Sequence, residues 1–347
     1  MIDTIKVIHP GMFTTVQDLG RYGYQAYGMP VAGAVDSYAL RVGNALLNNP
    51  DNTAGLEMTI MGPKLEFLKD TMIAITGADL GAKLNGVFCP SWEAIYVKAG
   101  DVLTFSGLRT GCRGYLTVAG GILVPEIMES KSTYTRAAIG GFEGRSLQKE
   151  DFLKTKKLEV LPTERNGLQV PKTLIPSYDS KISLRVVSGP QEDHFTEAGI
   201  ETLLSSEYNV TNEADRMGYR LEGPKIEHQD GADIISDGIP IGAVQVPGHG
   251  FPIVMLNDRQ TTGGYTKIAT VISTDLKRIG QGKPGDKVTF ESITQEEATG
   301  ILKEEETAIK RIYELISEND DSFALRHELS LRINGKAYHV RVEELSK

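Results

Sequence analysis

The sequence predicts a mainly β protein made of two related β units, followed by a helix and a β-hairpin. Residues 56–125 consist of short alternating or apolar runs bounded by Gly, Pro and Asp, with no helix-length amphipathic pattern between them. This spacing is typical of a β-barrel or sandwich rather than of the βαβ units of a parallel sheet. The length of 347 residues leaves room for two such units.

An internal repeat supports the division into two units. Three motifs of the first half recur in the second half in the same order. The matched segments are 62–67 with 223–228, 113–118 with 263–268, and 147–152 with 283–288. The polar, proline-marked segment 163–180 between the two sets has the composition of a linker. We therefore predict one β unit over residues 1–170, a second over 180–295 and a C-terminal tail over 296–347.

The first unit is predicted to open with a strand, a long loop and a helix. The strand is Ile5–Ile8, and the loop after it is rich in glycine and aromatic residues and carries Asp18 and Arg21. This loop is either the second wall of a binding site or simply a well-packed surface loop. Asp36 is a suitable N-cap for the helix predicted over Ser37–Leu47, because apolar residues form one stripe along it.

The densest group of polar side chains in the second unit lies between residues 257 and 267. Within about ten residues this loop carries a carboxylate, a guanidinium, an amide, hydroxyls, a phenol and an ammonium, which is more than turn formation requires. We predict a ligand pocket in which Asp258 and Lys267 form an acid/base or ion pair. A solvated loop with a surface salt bridge is the alternative. The predicted substrate-binding residues are Gln245, Arg259, Gln260, Thr261, Gly263, Gly264, Tyr265 and Lys267.

Two arginines precede this loop in the segment Asp215–Arg220. Arginine favours planar, bidentate recognition of carboxylates, so either Arg216 or Arg220 can pair with Asp258. A structural pair with Asp258 is the favoured interpretation for Arg220. For Arg216 we favour contact with a substrate.

The tail is predicted to form a surface helix and a hairpin. The residues after 293 place apolar side chains on one helical face and charges on the other, so the helix packs along a barrel or reaches a partner. Asn334-Gly335 is a strong type I′ turn signal between two strand-like runs. The residues of the apolar helical face are Ile301, Ala308, Ile309, Ile312 and Ile316.

Charge and composition exclude several classes of partner. The net charge is −9, and no Lys/Arg block exceeds two residues, which argues against nucleic acid and against an anionic membrane surface. No window approaches 18 apolar residues and no secretory leader pattern is present, so we expect a soluble cytoplasmic protein. Cys89 and Cys112 lack CxxC spacing and are predicted to be buried free thiols.

The usual motifs of self-sufficient enzymes are missing from the sequence. There is no P-loop, no dinucleotide-binding GxGxxG after a strand, no HExxH and no Gly-x-Ser-x-Gly elbow. The six histidines show no metal-ligand spacing. We therefore predict that this chain binds neither a metal nor a nucleotide, and that a partner completes its site.

Several long motifs resemble one known family, the allophanate hydrolase subunit 2 or urea amidolyase-related family. The resemblance covers residues 4–295 and implies two tandem cyclophilin-like β-barrel units. It also implies a tight partner of the subunit 1 type. The segments that carry it are 14–40, 56–67, 75–80, 131–147, 214–224, 242–276 and 283–290.

For the 5-oxoprolinase branch of this family, the resemblance implies ATP-dependent opening of the 5-oxo-L-proline lactam to L-glutamate. The chain would act as the C subunit, together with a LamB/YcsF-type A subunit and a KipI-like B subunit, the allophanate hydrolase subunit 1 homologue. ATP would be used on one of these partners, and activity is expected only in the complex. By motif position, Asp258 would be general base or water orienter, with Arg216 and Lys225 holding the substrate carboxylate and the oxyanion.

Two alternatives within the same family stay open, because a fold does not determine a function. One is a biotin-dependent carboxyltransferase component like that of urea carboxylase, which uses biotin carried by another protein. The other is a non-catalytic regulator that binds a KipI-type kinase inhibitor.

Overall fold

The computed structural model describes residues 2–317, 326–333 and 336–343, and it confirms the mainly β fold class. In the first half, some strands alternate, such as Lys64–Phe67, where Leu65 and Phe67 are buried and Lys64 is exposed, whereas Thr71–Asp79 is buried along almost its whole length. The strands are Ile2–His9 (β1), Phe13–Gln17 (β2), Gly55–Thr59 (β3), Lys64–Phe67 (β4), Thr71–Asp79 (β5), Ala82–Leu84 (β6), Val87–Phe88 (β7), Ala94–Val97 (β8), Val102–Phe105 (β9), Thr110–Val118 (β10), Ile122–Leu123 (β11) and Phe152–Thr155 (β12).

These strands form two antiparallel sheets around one core. The seven-stranded sheet has the order β11-β12-β1-β4-β9-β6-β7, and the five-stranded sheet has the order β2-β3-β10-β5-β8. Side chains from both sheets, among them Ile5, Phe67, Ile75 and Leu116, are fully or almost fully buried in this core. Burial of each such side chain contributes about 1.5–3 kcal/mol, so the core is a major source of stability.

Helix α1, Ser37–Leu46, packs against the outer face of the five-stranded sheet. Asp36 caps it as predicted, since its carboxylate accepts a hydrogen bond of 2.9 Å from the Ala39 amide. The apolar stripe of α1 packs with Met72, Ala74 and Trp92 in a second core cluster. The same helix therefore covers the sheet and leads directly out of the long loop after β2.

The second half is a closed barrel. Its strand order is β13-β20-β17-β18-β15-β14-β21, and the barrel closes through the parallel pair β13–β21. Strands β16 and β19 form a separate two-stranded ribbon. The strands of this half are Lys181–Ser188 (β13), Tyr208–Ala214 (β14), Gly218–Glu222 (β15), Asp233–Gly238 (β16), Ala243–Gln245 (β17), Ile253–Met255 (β18), Thr262–Tyr265 (β19), Lys267–Val271 (β20) and Lys287–Ser292 (β21), with helices Glu197–Ser205 (α2) and Leu276–Gly280 (α3).

The sequence repeat is only partly reflected in the structure. Residues 64–67 form β4, whereas residues 225–228 form no continuous strand. The Ile226 amide instead bonds to the Gly250 carbonyl, and His228 makes an isolated bridge to Phe195. The second copy of this motif therefore bonds to nearby groups of the second half instead of forming a strand like β4.

Helix α4, Gln295–Ser317, confirms the predicted surface helix. Ile309 and Ile312 are buried in the core cluster that contains α1, and Arg41 of α1 forms a bidentate ion pair with Glu306. The final strands Arg326–Ile333 (β22) and Lys336–Glu343 (β23) pair antiparallel, with Ile333 opposite Lys336. The predicted turn residues 334 and 335, and the side chain of residue 316, lie outside the described residues.

Candidate functional site

Asp258 lies in a buried ion pair at the end of β18. The Asp258 amide bonds to the Arg216 carbonyl, so the segments before β15 and after β18 run side by side. The Arg216 side chain then donates from Nε and Nη2 to the two Asp258 oxygens at 2.9 and 3.0 Å. Burial raises the pKa of Asp258, although Arg216 opposes the rise.

Glu57, on β3 of the first half, is a second carboxylate bonded to Arg216. It was not among the residues predicted from the sequence. Its carboxylate accepts from Arg216 Nη1, from the Tyr115 hydroxyl at 2.7 Å and from the Val35 amide at 2.9 Å. Burial alone would raise the pKa of Glu57, but Arg216 and Arg113 outweigh it and lower that pKa. The available signal was one carboxylate within a strand whose other residues are uncharged.

The network continues between the two halves through Gln281, which follows α3. Gln281 Oε1 accepts from the Cys112 and Arg113 amides at 2.9 and 2.8 Å. Its Nε2 donates at 2.8 Å to the Asp36 carboxylate and to the Arg113 carbonyl. Arg113 in turn donates to the Tyr219 hydroxyl. Every one of these side chains is buried, and the network joins the halves through hydrogen bonds that leave only Nε of Arg113 without a partner among the groups named here.

Two predicted pairings of Asp258 are wrong. Lys267 is buried, but its ammonium pairs with Asp237 of the ribbon at 3.1 Å. Arg220 pairs with Glu213 at 3.0 Å, because the register of β15 places it opposite Ile253 rather than beside Asp258. Arg216 takes the place expected of Arg220.

The sequence allows two roles for the long loop after β2, packing or the second wall of a site, and different parts of the loop fit each role. Asp18 accepts four hydrogen bonds from its own loop and from residues 130–132, which makes it a packing residue. Arg21 donates to the carbonyls of Ile127 and Ser132. Further along the loop, Ala32 exchanges backbone and side-chain hydrogen bonds with Asn257, the residue before Asp258. Only this last part of the loop supports the site.

A cleft of about 210 Å³ opens where the barrel meets Arg136 of the first half, and Asp215 and Met217, the chain neighbours of Arg216, lie in its wall. Its volume is smaller than the range of about 300–1,000 Å³ that is typical of sites for drug-sized ligands, so the cleft suits a small molecule. Three predicted substrate-binding residues, Gln245, Gln260 and Tyr265, lie in its wall. The lining residues are Arg136, Asp215, Met217, Gly218, Arg220, Gln245, Ile253, Met255, Gln260 and Tyr265.

Gln245, in the cleft wall, carries a buried amide nitrogen without a partner in the described part of the chain. It is 2% exposed, and its Nε2 has no hydrogen-bond partner among the described residues. An unsatisfied buried donor costs about 1–3 kcal/mol, and a ligand acceptor would recover that loss once the closed-off amide turned toward the cleft. Gly263 lies next to this amide, and a Cβ at that position would lie 2.7 Å from the Ile239 side chain and 3.2 Å from Gln245 Nε2. Glycine at 263 therefore leaves room beside this amide.

The remaining predicted site residues lie outside the cleft wall. Lys225 is exposed and lies against Gly250. The Thr261 carbonyl accepts from the Ile239 amide, and Gly264 lies against the Ile234 carbonyl. Arg259 is buried and donates to two backbone carbonyls. The structure thus brings Gln245, Gln260 and Tyr265 together but separates them from Lys225.

Within the described ranges, no group of three or more His, Cys, Asp and Glu side chains is arranged to hold a metal ion. No helix in the same part of the chain is long and apolar enough to cross a membrane.

Comparison with known proteins gives one family and two kinds of relative. Residues 27–292 match the family described as carboxyltransferase domain, subdomain A and B. The chain is 36% identical over 316 residues to the 5-oxoprolinase C subunit of Escherichia coli K12, covering 91% of this chain and 100% of that protein. It is 34% identical to the 5-oxoprolinase C subunit of Haemophilus influenzae, covering 88% of this chain and 96% of that protein.

Among solved structures, the urea amidolyase of K. lactis superposes with a TM-score of 0.84 at 32% identity. That alignment covers 89% of this chain but 20% of the urea amidolyase chain. The fold described above is therefore shared with one part of a much longer enzyme.

Proposed function

Because this chain belongs to the carboxyltransferase-domain family of subdomains A and B, we propose that it is the C subunit of a 5-oxoprolinase, which opens the 5-oxo-L-proline lactam to L-glutamate with ATP. The observation that carries this proposal is similarity along the full length of the E. coli 5-oxoprolinase C subunit. The urea amidolyase match, in contrast, covers 20% of that enzyme.

The chemistry of the cleft supports a cyclic amide as the ligand. In a five-membered lactam the carbonyl and the N–H lie on the same side of the ring, because the amide is held cis. A glutamine carboxamide offers a donor and an acceptor side by side and so complements that edge with two hydrogen bonds. Gln245 and Gln260 both line the cleft, and the amide nitrogen of Gln245 lacks a partner.

The proposed reaction needs partner subunits. An amide is a poor electrophile, so the lactam oxygen is first phosphorylated by ATP. Water then adds to the carbon that carries this phosphorylated oxygen. The ring C–N bond breaks, which leaves an amine and an acyl phosphate. A second water hydrolyses the resulting acyl phosphate to glutamate and phosphate. This sequence has no P-loop or dinucleotide-binding motif, so we assign ATP to a partner chain and expect activity only in the complex with the A and B subunits.

In this proposal Asp258 orders the site rather than removing a proton. Both of its carboxylate oxygens accept from Arg216, whose own nitrogens are bonded to Asp258, Glu57 and the Gly33 carbonyl. A carboxylate held in this way has lost the freedom to take a proton from water. The general base is assigned to a group that a partner supplies.

The test is an assay of the chain co-expressed with its A and B partners, in which ADP release and glutamate formation are measured with and without 5-oxo-L-proline. We expect both to depend on that substrate. Gln245→Met removes the amide at similar volume and should raise KM by about 3- to 10-fold through one lost hydrogen bond. Gln295→Met, at an exposed position on α4, is the control. A wild-type complex that releases no ADP in response to 5-oxo-L-proline contradicts the proposal.

A second candidate is carboxyl transfer from biotin on another protein, which the carboxyltransferase-domain match and the urea amidolyase superposition favour. It predicts turnover that requires bicarbonate and is blocked by avidin. 5-Oxoprolinase turnover should be insensitive to both.

A further inference from the structure

Arg259 is a buried cation without an acidic partner among the described residues. Its side chain is 2% exposed, and it donates from Nε to the Ile239 carbonyl at 2.9 Å and from Nη1 to the Leu256 carbonyl at 3.2 Å. Burial lowers the pKa of Arg259 to about 10. Neutral carbonyls compensate only part of the cost of removing a guanidinium from water.

The other buried arginines of the site show the usual solution. Arg216 is paired with Asp258 and Glu57, and Arg113 lies 3.8 Å from Glu57. Buried charges in proteins are normally paired in this way. Arg259 differs in this from Arg113 and Arg216, and it resembles Arg21, which is also buried and donates to two carbonyls without an ion pair among the described residues.

Arg259 also retains hydrogen-bonding capacity. Nε and Nη1 are used by carbonyls, while no described group accepts from Nη2. Unlike Nη1 of Arg21, which is sealed in the interior without a partner, Nη2 of Arg259 is not closed off from the surface. The neighbouring Tyr22, whose hydroxyl is near enough for its pKa to be affected by Arg259, is 65% exposed.

The position of Arg259 connects it to the cleft. The next residue, Gln260, lines the cleft. Ile239, whose carbonyl accepts from Arg259, has a side chain that lies against Gly263, and Gly263 in turn lies beside the unpartnered amide of Gln245. Arg259 itself is not in the cleft wall, so its connection to the cleft runs through Gln260, Ile239 and Gly263.

We propose that Arg259 is an oxyanion subsite adjoining the cleft and takes the carboxylate of the cyclic-amide substrate; this inference rests on the function proposed above. Arg216, the residue expected from sequence to hold that carboxylate, has its donors occupied by Glu57, Asp258 and the Gly33 carbonyl. The guanidinium of Arg259 is planar and suits a planar carboxylate.

The test uses the full chain alone and measures Kd by calorimetry for 5-oxo-L-proline, for 2-pyrrolidinone, which is the same lactam without a carboxylate, and for acetate. We expect wild type to bind 5-oxo-L-proline more tightly than 2-pyrrolidinone. Arg259→Gln should weaken 5-oxo-L-proline by roughly 10- to 100-fold and leave 2-pyrrolidinone unchanged. Arg259→Lys should restore part of the loss, because it returns the charge without the planar fork. Arg109→Gln, at a half-exposed surface ion pair, is the control.

Equal binding of 5-oxo-L-proline by wild type and Arg259→Gln overturns the subsite, as does wild-type binding that does not distinguish the two lactams or is absent. Circular dichroism of each variant checks that the fold is retained. Failure of the proposed function is seen separately, as a wild-type complex that releases no ADP with 5-oxo-L-proline. In that event, acetate binding that depends on Arg259 still supports an oxyanion subsite, whereas its absence removes the subsite too.

Discussion

At the scale of single residues, Glu57 is the carboxylate on which two buried arginines depend. Its carboxylate accepts a hydrogen bond from Arg216, and its Oε1 lies 3.8 Å from Nε of Arg113. The residue is 1% exposed. A buried ion-pair network adds little stability compared with apolar side chains of similar volume in its place. Removal of one carboxylate alone, however, leaves buried cations without a compensating charge. Glu57 therefore ties strand β3 of the first half to the barrel.

We expect Glu57→Gln to lower the free energy of unfolding by about 3–5 kcal/mol, since it neutralises one partner of a buried ion pair. Urea unfolding followed by circular dichroism measures this loss. Glu150→Gln makes the same substitution at the exposed pair with Lys6 and should have a much smaller effect. Equal effects of the two substitutions would contradict the role assigned to Glu57.

The same comparison has a predicted pH dependence. Burial opposes ionisation of Glu57, but Arg216 and Arg113 hold its pKa in the folded protein below the ordinary value of 4.5. A depressed pKa contributes stability that is fully present above 4.5 and is lost as the pH falls through the folded value. The difference between wild type and Glu57→Gln should therefore be constant from about pH 6 to 8 and shrink in acid.

At the scale of secondary-structure elements, α4 contacts both halves of the molecule. Ile309 and Ile312 are buried with α1 in one cluster. On the other side, Lys277 of α3 pairs with Glu305. An amphipathic helix in this position is held by its apolar stripe more than by its surface charges.

We expect Ile312→Ala, at a fully buried position, to destabilise the protein by about 2–5 kcal/mol through lost contacts and a residual cavity. Leu302→Ala, at a 39% exposed position of the same helix, should change stability by no more than about 0.5 kcal/mol. Thermal unfolding of the two variants provides the comparison. A larger loss from Leu302→Ala would show that α4 packs through its other face.

At the scale of the whole molecule, the two halves are coupled by buried polar groups. Gln281 of the second half bonds to the Cys112 amide, the Arg113 backbone and the Asp36 side chain of the first half. Val35 of the first half packs within the core of the barrel. Such an interface favours unfolding of both halves in one transition.

Gln281→Ala leaves several buried groups of the first half without partners and should cost on the order of 3 kcal/mol. The only tryptophan, Trp92, is buried in the first half. Its fluorescence in urea should therefore report a lower midpoint for this second-half substitution. Gln295→Ala, at an exposed site, should leave the midpoint unchanged. An unaltered midpoint for Gln281→Ala would mean that the halves unfold independently.

Local sequence patterns were sufficient for the mainly β class, the Asp36-capped helix α1 and the amphipathic helix α4. Capping, side-chain alternation and helical periodicity depend on residues close in the chain, so they can be read without a fold. The same patterns located the polar loop, and two of its predicted residues, Gln260 and Tyr265, do line the cleft. Residues 262–265 were expected in that loop but form β19, because β16 offers them a partner strand.

Only the tertiary structure decided which charges meet. Arg216 and Arg220 are equivalent as residue types, yet strand register places Arg216 on Asp258 and Arg220 on Glu213. Glu57 lies 159 positions from Arg216 in sequence, so nothing local could predict their pair. Ion pairs depend on distances of a few ångströms between elements distant in the chain, and those distances arise when the two halves pack.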